Sequence, residues 1–455
     1  NSKLKFDISK TFNKEALRAV EKAFILASGL RIAMEPAHLF FIAFGSKTAQ
    51  AVFSRLDVDS ADLSNKIKRI ISSAAGEPRN NGISQAAKEA LVAAYLSAYA
   101  LGQKKVEPIN LVLTCIDKNE SIGEILIDSG ISKEKIENCW LWFVINGQLV
   151  ENYKLYKKMA RFKPGAAMDR AYTSVATPVL NHFAYDLTLA AKWGRLEFCV
   201  AREKEIEEVF EQMEAGAFGV ILTGPVGVGK NIAAHGIAEL MVKEDVPDIL
   251  KDKRLLELDI SRLVSGAAPA EAQERLLMIL DETARAGNII LYINNLENIT
   301  GIQAGEGESL DLAEVLAAAL ERKDLYCLAS ATDENYARYI ESKPIGNLMA
   351  KIEIKEPIGS QAIQIIESKI GFIEGKYGVY FSYGAIEAAV LLSTKYIHDK
   401  HLPSKAIEIL EDAAVKISKN KKDESLFITP EIFASHFCAL TGVPLSKVTE
   451  KESEG

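Results

Sequence analysis

Residues 219–231 constrain this chain more than any other stretch. The apolar run Gly219, Val220, Ile221, Leu222 and Thr223 leads straight into Gly224-Pro225-Val226-Gly227-Val228-Gly229-Lys230-Asn231. A buried strand, a glycine-rich turn and a lysine opening a helix form a phosphate-cradling arrangement. The glycines let successive backbone N–H groups face phosphate oxygens, and the helix N-terminus adds its dipole. Such a loop needs an α/β sheet around it. Lys230 is placed to reach the outer phosphates, so the expected ligand is ATP or ADP. The next position ordinarily carries a Ser or Thr hydroxyl that holds Mg²⁺. Here it is Asn231, so magnesium is expected to bind weakly or not at all.

At 455 residues the chain exceeds one core, and roughly three domains is the prior. The net charge of −8, without a long basic run, argues against a nucleic-acid partner. The cysteines at 115, 139, 199, 327 and 438 are scattered and show no CxxC spacing. They read as buried thiols of a reducing compartment, not as zinc ligands or a disulfide framework. No apolar stretch reaches the roughly 18 residues of a membrane helix. The expected location is the cytoplasm of a bacterium or the equivalent space of an organelle. Both ends read as cut from something longer, which leaves room for an upstream membrane anchor or a further domain.

An internal repeat organises the first third. Residues 12–39 read as a helix, a loop and Glu35-Pro36-Ala37-His38-Leu39; residues 83–111 repeat this, ending Glu107-Pro108-Ile109-Asn110-Leu111. Ala16, Ala19, Val20, Ala23 and Ala27 share one helical face, as do Ala87, Ala90, Leu91, Ala94 and Ala98. Small residues at that spacing predict closely packed helices, and the duplication predicts an all-α double-repeat domain over residues 1–150. His38 reads as a satisfied helix-start histidine. A linker follows over 151–182, marked by Phe162-Lys163-Pro164-Gly165-Ala166-Ala167-Met168 and Thr173-Ser174-Val175-Ala176-Thr177-Pro178. From 183 to 357 strands and helices alternate, with strands expected at 220–223, 255–258, 289–294, 326–330 and 352–354. That pattern predicts a parallel sheet. From 358 to 445 the pattern is helical only, with helices at 360–375, 383–396, 404–418 and 429–440: a small lid. Residues 446–455 would begin a linker to a further module.

These residues together carry a family resemblance over nearly the whole chain. Tyr185-Asp186-Leu187-Thr188, Gly194-Arg195-Leu196 and Val200-Ala201-Arg202-Glu203-Lys204-Glu205-Ile206 precede the glycine loop. Leu250-Lys251-Asp252-Lys253-Arg254, Leu258-Asp259, and Ala286-Gly287-Asn288-Ile289-Ile290-Leu291 follow it. Leu402-Pro403-Ser404-Lys405-Ala406-Ile407 and Thr441-Gly442-Val443-Pro444 come later. In these stretches the chain resembles the front half of a Clp-type AAA+ unfoldase, of the ClpA/ClpC kind: an N-terminal repeat domain, a linker, and a first AAA+ module with its helical lid. The resemblance implies an ATP hydrolase fold, ring assembly with other subunits, and protein substrates or adaptors docking on the repeat domain. A peptidase would be engaged only through a region outside this chain. It also implies that Val200 and Ala201 frame the adenine, that Thr332 occupies a sensor position on the fourth strand, and that Lys405 occupies one in the lid. The compact stretch from 383 to 429 speaks against the disaggregating branch and for the protease-associated or a divergent one.

The departures from the family pattern are concentrated at its chemistry. The strand that should end Asp-Glu, to fix the Mg²⁺ water shell and polarise the attacking water, ends in Asn294-Asn295. An amide neither takes a proton nor offers charge to a metal. Glu297 lies two residues on, ~6.5 Å away if the strand continues. The arginine pair expected before the last strand is replaced by Asn347 and Leu348, and no Arg follows Arg338; such a finger typically supplies a rate factor of about 10³–10⁵. The first pore loop, Gly266-Ala267-Ala268-Pro269-Ala270-Glu271, lacks an aromatic. The expectation is a module that binds nucleotide, hydrolyses it poorly or not at all, and serves assembly and regulation. Two alternatives stay open: an active motor with unusual magnesium ligands, using Asn231 and Arg322 or Arg338, and a nucleotide-independent scaffold that keeps the glycines for the turn alone.

Overall fold

The computed structural model of the chain describes residues 8–73, 82–101, 103–159, 175–300, 302–303, 309–419 and 426–443. Two compact units emerge. One comprises Asn1–Gly147, Lys369–Leu392 and Ile409–Gly455; the other comprises Gln148–Ser368 and Ser393–Glu408.

In the first unit the repeat domain is helical: α1 (Lys14–Gly29), α2 (Pro36–Phe44), α3 (Lys47–Arg55), α4 (Ser60–Ser73), α5 (Gln85–Ala100), α6 (Pro108–Ile116), α7 (Glu120–Asp128) and α8 (Lys133–Met159). The duplication extends to the atoms that start the helices. Asn13 caps α1 by accepting from the Ala16 N–H at 2.6 Å, and Ser84 caps α5 by accepting from Ala87 at 3.1 Å. Both α2 and α6 begin with proline, which lacks the N–H that a first turn leaves unsatisfied. Each also carries a reciprocal capping box, Glu35 with His38 and Glu107 with Asn110. Bridges Phe12–Val106 and Met34–Ile83 tie the two copies together. The alanine rows of α1 and α5 are buried, whereas Val20 and Leu91 are only half-buried. Helix α8 continues past residue 150, through the start of the expected linker. The stretch 162–168, with residues 173 and 174, and everything after 443 lie outside the described residues.

The second unit is a three-layer α/β fold. In chain order it holds α9 (Pro178–Phe183), β1 (Ala184–Asp186), α10 (Leu187–Lys192), α11 (Glu203–Glu214), β2 (Gly219–Thr223), α12 (Lys230–Val242), β3 (Arg254–Leu258), α13 (Ile260–Val264), α14 (Pro269–Ala286) and β4 (Ile289–Ile293). The short strands β5 (Ile302–Gln303) and β6 (Ser309–Leu310) follow, then α15 (Leu312–Glu321), β7 (Tyr326–Ala331), α16 (Asp333–Asn335), α17 (Pro344–Asn347) and β8 (Met349–Glu353). The main sheet runs β1-β3-β4-β7-β2-β8. Its five expected strands pair in parallel; β1 adds an antiparallel edge that the sequence pattern did not reveal, because three residues, none fully buried, are too few to show a period. Strands β2 and β4 are buried throughout, as strands covered on both faces must be. Ile221, Leu291 and Cys327 enter one core; Val220, Leu222, Tyr292 and Leu328 enter the other.

The lid contains α18 (Ser360–Tyr377), β9 (Val379–Phe381), α19 (Tyr383–Tyr396), α20 (Ser404–Lys419), β10 (Leu426–Ile428) and α21 (Pro430–Thr441). It is helical as expected, with one addition: the short strands β9 and β10 pair in parallel. Three-residue strands are too short to announce themselves by alternation.

Candidate nucleotide-binding site

Strand β2 ends at Thr223, and α12 starts at Lys230; the loop between them is built on left-handed glycines. Gly224, Gly227 and Gly229 have φ of +151°, +86° and +103°. A Cβ on Gly224 would stand 2.3 Å from the Ile354 carbonyl oxygen, and one on Gly227 2.9 Å from Ser404 Oγ. These glycines are therefore required by close approach as well as by backbone conformation. Lys230 is only 8% exposed, and its Nζ donates to the Gly224 and Pro225 carbonyls at 2.7 and 2.8 Å. Burial lowers its pKa, partly offset by the carboxylates of Asp333 and Glu297. A buried ammonium at a helix N-terminus is a fitting partner for a phosphate. Val228 is buried under the loop, while Val226 is largely exposed.

The segment before the loop is fastened to it. Arg202, fully buried, donates to the Val228 carbonyl at 2.7 Å and the Lys355 carbonyl at 3.0 Å. Val200 and Ala201 are half-buried beside it; Ala201 sits at φ +57°, and its carbonyl accepts from Gln361 at 2.9 Å. Cys199 runs so close to α12 that a Cβ at Gly236 would meet it at 2.7 Å.

The metal-ligand positions are arranged differently. Asn231 Oδ1 accepts a hydrogen bond from the buried Tyr292 hydroxyl at 3.0 Å. Burial raises the Tyr292 pKa, so that hydroxyl keeps its proton. Asn294 Oδ1 accepts from Ser330 Oγ at 2.9 Å, and Ser330 Oγ in turn accepts from the Asn295 N–H at 3.1 Å, with Asn295 at φ +56°. The side-chain oxygens of Asn231 and Asn294 thus each accept a hydrogen bond from within the protein.

Two carboxylates border the site that sequence reasoning undervalued or missed. Glu257, opposite Tyr292 in the β3–β4 register, hydrogen-bonds to Asn294; burial raises its pKa. Glu297 does not lie further along a strand: β4 stops at Ile293, and Leu296–Ile299 turns into a 3₁₀ helix. The ~6.5 Å displacement expected for a continuing strand therefore does not apply. Glu297 Oε1 accepts from Asn335 at 2.6 Å. Neither carboxylate belongs to a local motif.

The remaining sequence candidates fall in two sets. Pro225, Val226, Gly227 and Thr332 line one cleft together with Asp333, His401 and Ser404. Thr332 Oγ1 caps α16 by accepting from Asn335 at 3.1 Å. Lys405 is not brought to the loop: 5% exposed, it donates to the Ile397 carbonyl at 3.1 Å and pairs with Glu356 at 3.4 Å. Its neighbour Ser404 reaches instead, donating to the Gly227 carbonyl at 2.9 Å. Asn347 closes α17 on the surface, with Leu348 half-buried behind it. Gly266, at φ +67°, opens the connection to α14, which Arg275 ties down through the Leu263 carbonyl at 3.0 Å.

Comparison with known proteins agrees with this architecture. Residues 11–131 match the Clp repeat (R) N-terminal domain, 220–342 the ATPase family associated with various cellular activities (AAA), and 359–430 the AAA lid domain. The chain is 28% identical to the negative regulator of genetic competence ClpC/MecB of Bacillus subtilis over 390 residues, 85% of this chain and 46% of that protein. It is 36% identical to the ATP-dependent Clp protease ATP-binding subunit ClpC of Staphylococcus epidermidis over 251 residues, 54% of this chain and 31% of that protein. Among solved structures, a Saccharomyces cerevisiae Hsp104–ADP complex superposes with a TM-score of 0.55 at 26% identity, covering 60% of this chain and 47% of that one. The matched stretches thus cover less than half the length of each of these relatives. No helix among the described residues is long and apolar enough to cross a membrane. With a Clp repeat domain, an AAA domain and an AAA lid in succession, the chain belongs to the Clp-type AAA+ family.

Proposed function

We propose that this chain is the nucleotide-holding, hydrolysis-impaired portion of a Clp-type unfoldase, serving assembly and regulation. One observation carries the reading: the glycine loop keeps Lys230 at its helix start, while the side-chain oxygens of Asn231 and Asn294 accept hydrogen bonds from Tyr292 and Ser330. The loop N–H groups and Lys230 hold the phosphates, and the segment at Val200 and Ala201 frames the base. No residue takes a proton from water at the Asn294-Asn295 positions, and the surface Asn347 brings no guanidinium to a neighbour. Bound nucleotide then biases a conformation without turnover. The partners are other subunits of a Clp-like ring in the cytoplasm, and protein substrates or adaptors that dock on the repeat domain. Its exposed apolar residues Ile25, Leu96 and Tyr99 offer contact area. Nucleic acid is not a partner, and any peptidase contact belongs to a region outside this chain.

Titration calorimetry of ATP and ADP, with and without Mg²⁺, on the full chain and on Lys230→Ala tests the reading. Binding that Lys230→Ala removes and Mg²⁺ barely alters supports it. No heat with either nucleotide would leave a nucleotide-independent scaffold. A second reading, an active motor with unusual ligands, is favoured by Glu257 and Glu297 at the site margin. It predicts Mg²⁺-dependent phosphate release that Glu257→Gln or Glu297→Gln abolishes.

A further inference from the structure

The first unit contains a contact that neither the repeat domain nor the lid explains alone. Arg55, the last residue of α3, extends into the lid. Its guanidinium makes a two-pronged ion pair with Glu374 of α18; the Nη2–Oε2 bond is 2.8 Å, and Nη1 bonds to Oε1. Nη1 also donates to the Phe381 carbonyl of β9 at 2.6 Å. The Glu374 carboxylate is 7% exposed and accepts from the Phe381 N–H at 2.8 Å. The cation stands 4.3 Å from the centre of the Trp142 ring of α8 and 5.6 Å from that of Tyr380 of β9. Planar bidentate pairing combined with ring stacking is the use for which Arg cannot be exchanged for Lys.

Other bonds join the same two surfaces. Lys135 of α8 pairs with Glu387 of α19 at 2.8 Å, and buried Asn138 donates to the Tyr383 hydroxyl at 3.2 Å. Close by, Gly371 of α18 faces Asn146: a Cβ there would lie 3.9 Å from Asn146 Oδ1. A buried charge pair is costly unless both partners are matched, and removing one partner leaves the other stranded. Glu374 is matched only while α3 is in place.

We propose that the repeat domain of this chain is docked on its own lid through a clasp centred on Arg55 and Glu374, so that the two form one rigid body. The occupant of this lid face is the C-terminal end of α3 with residues 135–146 of α8, from the same chain. Adaptors and substrates therefore have to approach the repeat domain on surfaces other than the C-terminal end of α3 and the adjoining face of α8. This inference is independent of whether the glycine loop holds nucleotide.

The test uses the full chain, mixed from normal and ¹⁵N-labelled protein. Treatment with a carbodiimide, which joins an amine and a carboxylate in direct contact, should link Lys135 to Glu387 within one molecule. Peptide mass spectrometry reads the link, and Glu387→Gln should abolish it. Hydrogen exchange supplies the second readout: Arg55→Ala should speed exchange of residues 374–383 by about tenfold while leaving α12 unchanged. Absence of the intramolecular link in the unsubstituted protein overturns the proposal, whether or not Arg55→Ala folds. So does unchanged exchange over 374–383 in a folded Arg55→Ala protein.

Discussion

Asn231 has its side-chain oxygen occupied by a tyrosine that is itself fully buried. Tyr292→Phe deletes that one donor without changing shape, and one hydrogen bond contributes about 1 kcal/mol. Denaturant unfolding should show a loss of that size. The freed amide oxygen should make nucleotide binding more responsive to Mg²⁺ than in the unsubstituted protein. Gly224 makes a harsher prediction. Its φ of +151° and the 2.3 Å overlap of any Cβ with the Ile354 carbonyl leave no room for a side chain. Gly224→Ala should cost at least about 2 kcal/mol of stability, in the range of overpacked sites, and should abolish nucleotide binding. Correct folding with unchanged affinity would show that the loop tolerates a conformation other than the one described.

At the scale of elements, the two copies of the repeat perform the same capping with different chemistry. In α6, Asn110 Oδ1 accepts from the Glu107 N–H at 2.8 Å; in α2, His38 Nδ1 accepts from the Glu35 N–H at 3.2 Å. Only an unprotonated nitrogen can accept, and burial lowers the His38 pKa despite the nearby Glu35. With the folded value below the unfolded one, the unfolded chain binds more protons between the two. Stability should therefore fall as pH drops below about 6.5, the ordinary histidine value. His38→Asn copies the second repeat and should flatten that fall. A remainder should persist, because burial also holds His436 low. Thermal melts of both proteins at pH 7.5 and 5.5 check this.

The same scale shows what a sequence can disclose. The strand, glycine turn and helix at 219–242, the alanine faces and the Glu-Pro helix starts were legible because each rests on local chemistry: φ, spacing or a cap. Strands β1, β9 and β10 were not, since three residues cannot display a period. The site was legible where its residues are contiguous, as at Gly224 to Asn231. It was not where a side chain arrives from elsewhere. Ser404 displaces Lys405 as the lid residue on the loop, and Glu257 reaches Asn294 across a strand pair that only the sheet order brings together. Glu297 was misplaced because nothing local foretold the left-handed turn at Asn295.

For the whole molecule, the fold of a Clp-type AAA+ module surrounds a site in which the side-chain oxygens of Asn231 and Asn294 accept hydrogen bonds from within the protein. Ligand bound only to the folded state stabilises it by RT ln(1 + [L]/Kd), about 2.7 kcal/mol at a hundredfold excess over Kd. Saturating ATP should therefore raise the melting temperature of the unsubstituted chain and leave Lys230→Ala unmoved. The most direct test of the central claim is a single-turnover experiment, with the full chain in excess over ATP and Mg²⁺ present, following both bound nucleotide and released phosphate. A module that holds nucleotide without turnover should return ATP intact, with phosphate no faster than in the Lys230→Ala control. Phosphate released at a rate that Lys230→Ala abolishes would contradict it.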